Sequence, residues 1–208
     1  MRIHNHDQGT PEWFAARSGM PTASAAAKMV TPKGLKISTQ HVKYAALLAA
    51  ELHKGEGLAD FTGSKHTERG HELEPIAADY YAFEYETPLK QVGFITDDAG
   101  THGASLDRLF EDNTGAVELK CINAGDHMIA MDSVDKGACP IDHILQINMQ
   151  MMVAEVDFVD LYYYHPDLPS VRYRLHKDYK VQAALQSAIT QTIAERDRFY
   201  KLILKNMG

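Results

Sequence analysis

Two acidic residues and a lysine lie close together near the middle of the sequence, in an order that suits metal-dependent hydrolysis. Asp107 precedes a polar turn, and Glu118 and Lys120 follow that turn. Because side chains two apart in a strand share a face, Glu118 and Lys120 should project together while Leu119 points into the core. Two carboxylates and an ammonium group at a sheet end can hold a hard divalent cation and activate water beside a phosphodiester. The same residue types also occur on solvated strand faces, as ion pairs that contribute little to stability.

The segments on both sides of this turn have the composition of β-strands. Apolar residues recur in 104–110 and 116–122, and Asp, Asn, Thr and Gly separate the two runs. This pattern predicts a β-hairpin. If its strands pair, Asp107 can lie on the same face as Glu118 and Lys120, so that the three groups converge.

The elements predicted around the hairpin form a mixed sheet with helices on its faces, which is an α/β fold. Residues 1–208 are predicted to make a single domain. Helical spacing and capping residues predict helices in 11–17, 25–30, 39–55, 64–84 and 141–156, and a terminal helix capped by Asp178. Strand-like runs occupy 91–96, 103–110, 116–122, 158–164 and 171–176. Thr22 or Ser24 is expected to cap the second helix, Ser64 to start the fourth, and Pro75 to kink or break that helix at Glu74.

Composition and charge narrow the classes of function. No stretch approaches the ~18 consecutive apolar residues of a membrane span, and the first residues do not resemble a signal peptide. With only two cysteines, Cys121 and Cys139, the chain is predicted to be cytoplasmic. The net charge of −7 argues against indiscriminate coating of duplex nucleic acid, and favours a confined channel or a pocket that grips an end.

Four ordered blocks of sequence between residues 13 and 164 resemble the phage lambda-type exonucleases. These enzymes form the viral recombinase, or alkaline exonuclease, branch of the PD-(D/E)XK nucleases, whose core is like that of restriction endonucleases. The blocks are Trp13 to Arg17 with Thr22 to Ser24, Arg69-Gly70 with Glu74-Pro75, Ser105 to Asp107 with Glu118 to Cys121, and Gln146. Two positions depart from the family pattern, because Arg108 replaces the usual Gly and Ile122 the usual Pro. Arg108 is expected to contact phosphate or to pair with Glu111.

The resemblance implies a catalytic role for each residue of the acidic cluster. Asp107 and Glu118 would be metal ligands, joined by the backbone carbonyl of Leu119, with Mg²⁺ as the ion and Mn²⁺ as a possible substitute. Lys120 would position or deprotonate the attacking water and stabilise the charged phosphorane-like state. Glu74 would add an acidic contact to the metal region; otherwise it is a helix carboxylate that pairs with Arg69.

The remaining site residues are also assigned by resemblance. Gln146 would orient the lysine or a water, whereas Gln150, one turn later, is expected to be an amide that lines a helix–sheet junction. Arg17, Ser24 and Ser105 match positions that grip the 5′-phosphate of a DNA end. Their ordinary alternatives are a surface charge for Arg17, a helix cap for Ser24 and a strand hydroxyl for Ser105.

The function implied is a Mg²⁺-dependent 5′-to-3′ exonuclease that acts on linear double-stranded DNA. It would release 5′-mononucleotides and leave 3′ single-stranded overhangs for phage-type homologous recombination by single-strand annealing. The resemblance further implies a homotrimeric ring and a single-strand annealing recombinase as partner, in the cytoplasm of a bacterial host. The alternatives are a PD-(D/E)XK endonuclease and a non-catalytic DNA-end-binding protein. Strand polarity rests on the resemblance alone.

Overall fold

Two β-sheets and the helices around them position the residues of interest. The computed structural model describes residues 1–58 and 65–207. The strands in this part of the chain are β1 (Arg2–His4), β2 (Leu89–Lys90), β3 (Phe94–Thr96), β4 (Gly103–Ser105), β5 (Arg108–Phe110), β6 (Gly115–Lys120), β7 (Phe158–His165) and β8 (Leu168–His176). The α-helices are α1 (Pro11–Arg17), α2 (Ala26–Met29), α3 (His41–Lys54), α4 (Lys65–Glu84), α5 (Ala124–Asp135), α6 (Ile141–Ala154) and α7 (Tyr179–Met207).

The larger sheet has five strands in the order β2-β5-β6-β7-β8, and a smaller sheet has the order β1-β3-β4. Strands β6 and β7 are parallel, and the other pairs in the larger sheet are antiparallel. The predicted mixed sheet flanked by helices is therefore confirmed. No helix within the described residues is long and apolar enough to cross a membrane.

The central strands of the larger sheet, β6 and β7, are buried on both faces, and consecutive residues of these strands belong to different hydrophobic clusters. Ala116 and Leu161 pack in the cluster that contains residues of α6 and α7. Val117 and Tyr162 pack in a second cluster, which contains Tyr81 of α4. Burial on both faces explains the nearly continuous apolar runs in these strands.

Several predicted helix ends agree with the structure. The Thr10 side chain accepts a hydrogen bond from the Trp13 amide at the start of α1. Gly55 ends α3 in a left-handed conformation. Asp178 accepts hydrogen bonds from the amides of Lys180 and Val181 and so caps α7. These signals depend on neighbouring residues only, and this explains why they can be predicted from the sequence.

Other helix predictions were wrong or cannot be compared. Helix α4 continues through Pro75, so of the predicted kink or break at Glu74 the break does not occur. The buried Ala77 and Tyr81 anchor the following turns of α4 in the second cluster and favour continuation of the helix. The predicted helix 25–30 is a 3₁₀ turn at Ala23–Ala25 followed by α2, and neither start carries a side-chain cap. The predicted start at Ser64 lies outside the described residues.

The predicted strand 103–110 is two strands in two different sheets. Strand β4 pairs with β3 in the smaller sheet, and β5 pairs with β6 in the larger one. Leu106 and Asp107 lie between them, where the chain changes sheet. At this transition Leu106 is buried in the core, and the Asp107 side chain accepts a hydrogen bond from the Leu119 amide of β6. Of the predicted strand 91–96 only β3 (Phe94–Thr96) forms, and β2 (Leu89–Lys90) precedes the predicted range.

Candidate active site

Glu118 and Lys120 project from β6 on the same face, as predicted, and form an ion pair. Lys120 Nζ lies 2.6 Å from Glu118 Oε1. The same carboxylate accepts hydrogen bonds from two glutamines of α6, at 2.7 Å from Gln146 Nε2 to Oε1 and at 2.6 Å from Gln150 Nε2 to Oε2. Three donors therefore fix the Glu118 carboxylate in one orientation.

Asp107 lies beside this carboxylate because of the hairpin register. Arg108 is opposite Val117 in the β5–β6 pair, so the preceding residue is level with Glu118. Asp107 Oδ2 accepts a hydrogen bond from the Leu119 amide at 2.7 Å. Burial, followed by repulsion from Glu118 and Glu74, raises the pKa of Asp107 well above its ordinary value. Lys120 and the Leu119 amide act in the opposite direction but do not outweigh these effects.

Lys120 is cationic in this environment. Burial lowers its pKa, but the attraction of Glu118 and then of Asp107 is larger in sum, so the pKa of Lys120 is raised above its ordinary value. In the protein without metal, Lys120 therefore acts as a positive charge and not as a base at neutral pH.

Glu74 approaches the cluster from α4, on the other face of the sheet. Arg108 donates to Glu74 Oε1 at 3.0 Å and to the Asp107 carbonyl oxygen at 2.5 Å. The partner of Arg108 is therefore Glu74 and not the expected Glu111, while the expected phosphate contact stays a prediction. The site brings together three carboxylates and two cationic side chains, and so retains an excess of negative charge.

The donor set of this cluster fits a hard divalent cation. Its side-chain ligands would be two carboxylates, since among the described residues no group of three or more His, Cys, Asp or Glu side chains is arranged to hold a metal ion. Asp107 and Glu118 supply carboxylate oxygens, which Mg²⁺ prefers, and Mg²⁺ commonly keeps several of its waters. Burial and then repulsion from Glu118 and Glu74 raise the pKa of Asp107, and a bound cation would relieve that repulsion.

Arg17, Ser24 and Ser105 form a second polar cluster beside the carboxylates. Arg17 NH1 lies 2.9 Å from Ser105 Oγ, and Arg17 NH2 lies 3.3 Å from Ser24 Oγ. The guanidinium stacks 3.9 Å from the centre of the Trp13 ring, and Trp13 Nε1 donates to Ser105 Oγ at 3.2 Å. Burial lowers the pKa of Arg17 to about 10, while Tyr44 and Glu51 act in the opposite direction, so the side chain remains cationic at neutral pH. A guanidinium flanked by two hydroxyls is suited to bind a phosphate.

A cavity of about 770 Å³ opens next to this cluster. Its lining includes Trp13, Arg17, Ser24, Tyr44 and Glu51. The turn after α1 that brings this wall close to α3 requires a glycine, because Gly19 has φ +72° and a Cβ there would lie 2.8 Å from Leu52 Cβ. The cavity therefore depends on a close approach of two helices that a larger residue would prevent.

Gln150 connects the two clusters. Besides its bond to Glu118, its Nε2 lies 3.2 Å from the carbonyl oxygen of Ser105. The expectation that this residue merely lines a helix–sheet junction overlooked both contacts. Its spacing from Gln146 was the available signal, since residues four apart on a helix share a face.

Both the sequence and the fold are similar to those of known proteins. Residues 12–157 match the YqaJ-like viral recombinase domain family. The crystal structure of an alkaline exonuclease (LHK-Exo) from Laribacter hongkongensis is similar, with 28% sequence identity, a TM-score of 0.81 and coverage of 94% of this chain and 97% of that chain. The structure of LHK-Exo in complex with dAMP gives the same values. A phage related exonuclease from Haemophilus somnus 129PT shares the fold, with 15% identity, a TM-score of 0.69 and coverage of 91% of this chain and 96% of that chain. No curated protein sequence matches the chain.

Proposed function

Because the chain belongs to the YqaJ-like viral recombinase domain family, we propose that it is a Mg²⁺-dependent deoxyribonuclease that degrades one strand of linear duplex DNA from the 5′ end. It releases 5′-mononucleotides and leaves 3′ single-stranded overhangs that serve homologous recombination by strand annealing. One observation carries the proposal: a phosphate-binding cluster at Ser105 lies two residues from the carboxylate of Asp107.

The metal would be held by the carboxylates of Asp107 and Glu118 with the Leu119 carbonyl. When bound, Mg²⁺ or its substitute Mn²⁺ supplies charge stabilisation at the phosphate and lowers the pKa of a coordinated water. The similarity to LHK-Exo, an alkaline exonuclease, supports hydrolysis of phosphodiesters.

The side chains of the site have separate tasks in the proposed reaction. Lys120, fixed 2.6 Å from Glu118, orients the attacking water and stabilises the negative charge that develops on the phosphate. Gln146 keeps the Glu118 carboxylate in place. Glu74 adds negative charge to the metal region and is itself partly neutralised by Arg108.

The end of the strand is recognised by Arg17, Ser24 and Ser105. A terminal 5′-phosphate in contact with these groups would place the following phosphodiester toward Asp107, because the two clusters share the segment between β4 and β5. This geometry supports attack from the 5′ end and release of single nucleotides. A hydroxyl end would lose the charged contact to Arg17.

The proposal extends to assembly and location. A homotrimeric ring would allow a chain of net charge −7 to retain DNA by enclosing it, without a large basic face. We further propose that residues 1–208 form one nuclease domain with a PD-(D/E)XK core, which acts in the bacterial cytoplasm with a single-strand annealing recombinase.

Digestion of a linear duplex labelled at either terminus tests the function. With Mg²⁺, the 5′ label should appear as mononucleotide before the 3′ label is released, and a chelator should stop the reaction. Cleavage of covalently closed circular duplex would instead indicate an endonuclease. Binding to ends without any release of nucleotide would indicate a non-catalytic end-binding protein.

A further inference from the structure

Gln150 has hydrogen bonds that packing alone does not explain. Its side chain is fully buried, and its single Nε2 donates to both Glu118 Oε2 and the Ser105 carbonyl. Both partners can only accept, so the amide must present its nitrogen to them. Its Oε1 consequently has no hydrogen-bond donor among the described residues. A methionine, like Met149 and Met151 on the same helix, would fill a similar volume without this unpaired acceptor.

These bonds complete a continuous path from the phosphate-binding cluster to the catalytic carboxylate. Arg17 donates to the Ser105 hydroxyl, Gln150 donates to the carbonyl of that same serine, and Gln150 also donates to Glu118. Gln146 provides an internal comparison. It donates to the other oxygen of Glu118 at 2.7 Å, but makes no bond to Ser105 within the described part of the chain.

We propose that Gln150 is a positioning residue that couples a 5′-phosphate on Arg17 and Ser105 to the placement of Glu118. This inference rests on the proposed exonuclease function and deepens it. A phosphate that holds Ser105 in place also holds the Ser105 carbonyl oxygen, which accepts from the Gln150 amide. The same amide donates to Glu118, so the position of the Glu118 carboxylate is fixed as well. The terminal phosphate then accelerates the chemical step and does not merely tighten binding, so its effect appears in kcat as well as in KM.

The test compares Gln150→Met with Gln146→Met on linear duplexes that differ only in a 5′-phosphate or a 5′-hydroxyl. The kcat compared is the single-turnover rate constant for release of the first residue, because hydrolysis leaves a 5′-phosphate on every shortened strand. The unaltered protein should show a higher kcat on the phosphorylated end, by about tenfold as is typical of coupled sites. Gln146→Met should lower kcat on both ends by the same factor and preserve the ratio. Gln150→Met should bring the ratio of the two kcat values close to one. Equal losses on both ends in Gln150→Met would overturn the coupling and leave a purely structural role.

A binding measurement on the unaltered protein tests the same coupling without a variant, in case Gln150→Met does not fold. Coupling between two sites is reciprocal, so an ion bound at Glu118 should in turn strengthen binding of the 5′-phosphate at Arg17 and Ser105. A 5′-phosphorylated end should therefore bind more tightly than a hydroxyl end by a larger factor in Ca²⁺ than in chelator. A phosphorothioate-protected duplex and fluorescence anisotropy are suitable for this comparison. An advantage that is the same in both buffers would overturn the inference.

Failure of the proposed function has a different signature. In that case the unaltered protein releases no nucleotide, or releases it equally from both kinds of end. If only the coupling is wrong, the unaltered protein prefers the phosphorylated end and Gln150→Met keeps that preference in kcat.

Discussion

Arg108 and Glu74 form an ion pair, with 3.0 Å between Arg108 NH1 and Glu74 Oε1, at the edge of the carboxylate cluster. Arg108 occupies a position where the lambda-type pattern usually has glycine, so this chain carries an additional fixed cation next to its proposed metal site. Its partner Glu74 is one of the carboxylates whose repulsion raises the pKa of Asp107. Arg108 itself competes electrostatically with a divalent ion for the same region.

Replacement of Arg108 by glycine should therefore tighten metal binding. Removal of one positive charge a few ångströms from the carboxylates should lower the Kd for Mn²⁺ by roughly tenfold, equivalent to about 1.4 kcal/mol at the effective dielectric of a protein surface. Isothermal titration calorimetry measures this directly. Lys136→Ala, which removes the same charge from an exposed pair with Asp132, is the control and should leave Kd unchanged. An unchanged or weaker affinity in Arg108→Gly would contradict the electrostatic argument.

The pKa of Asp107 makes a prediction about stability in the absence of metal. Because its folded pKa is raised above the ordinary 3.8, the ionised carboxylate destabilises the fold above the raised pKa. This destabilisation is relieved as pH falls through the folded pKa toward 3.8. Asp107→Asn should abolish nucleotide release, yet it should raise Tm at neutral pH in the presence of a chelator. The increase should be about 2–4 °C for each kcal/mol by which the free energy of unfolding rises when the buried charge is removed.

The pH dependence distinguishes this cause from a general effect of the substitution. The difference in Tm between Asp107→Asn and the unaltered protein should be largest at neutral and alkaline pH and should shrink toward pH 4. Thermal unfolding at several pH values provides the measurement. Asp132→Asn, at an exposed site, is the matched control and should show no such trend. A constant difference across pH would exclude the ionisation of Asp107 as its origin.

The hairpin that carries Asp107 and Glu118 could be predicted because its signals are local. Turn residues and alternation with a period of two indicate both the pairing and the faces of the side chains. The transition from β4 to β5 could not be predicted in the same way. A chain that passes from one sheet to another keeps its apolar character, so the sequence resembled one strand until the two sheets were seen.

Contacts between distant parts of the chain were the other features missed. The partner of Arg108 lies 34 positions away, and the Ser105 carbonyl that Gln150 binds lies 45 positions away. Helix α5 was not predicted, because Met128 and Ile129 are exposed and disturb the periodicity that would reveal it. Grouping of Arg17, Ser24 and Ser105 was expected from the resemblance alone, and the structure places them in contact.

Lys120 should be required for the chemical step and much less for DNA binding. Lys120→Ala removes the positive charge next to Glu118 and should lower kcat by at least 10²–10³-fold, the effect of losing one group that stabilises developing charge. Single-turnover digestion of a 5′-labelled duplex measures this loss. Lys177→Ala, which removes an ion pair with the exposed Asp157, is the control and should retain the full rate. Loss of end binding in Lys120→Ala, with an unchanged rate for bound DNA, would contradict the assignment.

Arg17 should determine the preference for a phosphorylated end. Arg17→Ala removes the charged donor that links Ser24 and Ser105, and should reduce the 5′-phosphate preference in kcat/KM by roughly 10- to 100-fold, the scale of a hydrogen bond to a charged group. Ser24→Ala removes only a neutral hydroxyl and should have a smaller effect. Competition between phosphorylated and hydroxyl duplexes measures the preference. If Arg17→Ala keeps it, end recognition must lie elsewhere.

Tyr81 should contribute to stability and not to catalysis. Its hydroxyl donates at 2.5 Å to Asp160, which is fully buried beneath α4 and also bound by Arg174. Tyr81→Phe leaves this carboxylate without one donor and should reduce the free energy of unfolding by about 1–3 kcal/mol, with kcat unchanged. Tyr80→Phe, at the exposed preceding position, is the matched control and should change stability by less than about 0.5 kcal/mol. Denaturant unfolding and nucleotide release, measured on both variants, test the separation; a fall in kcat for folded Tyr81→Phe would connect this buried network to the active site.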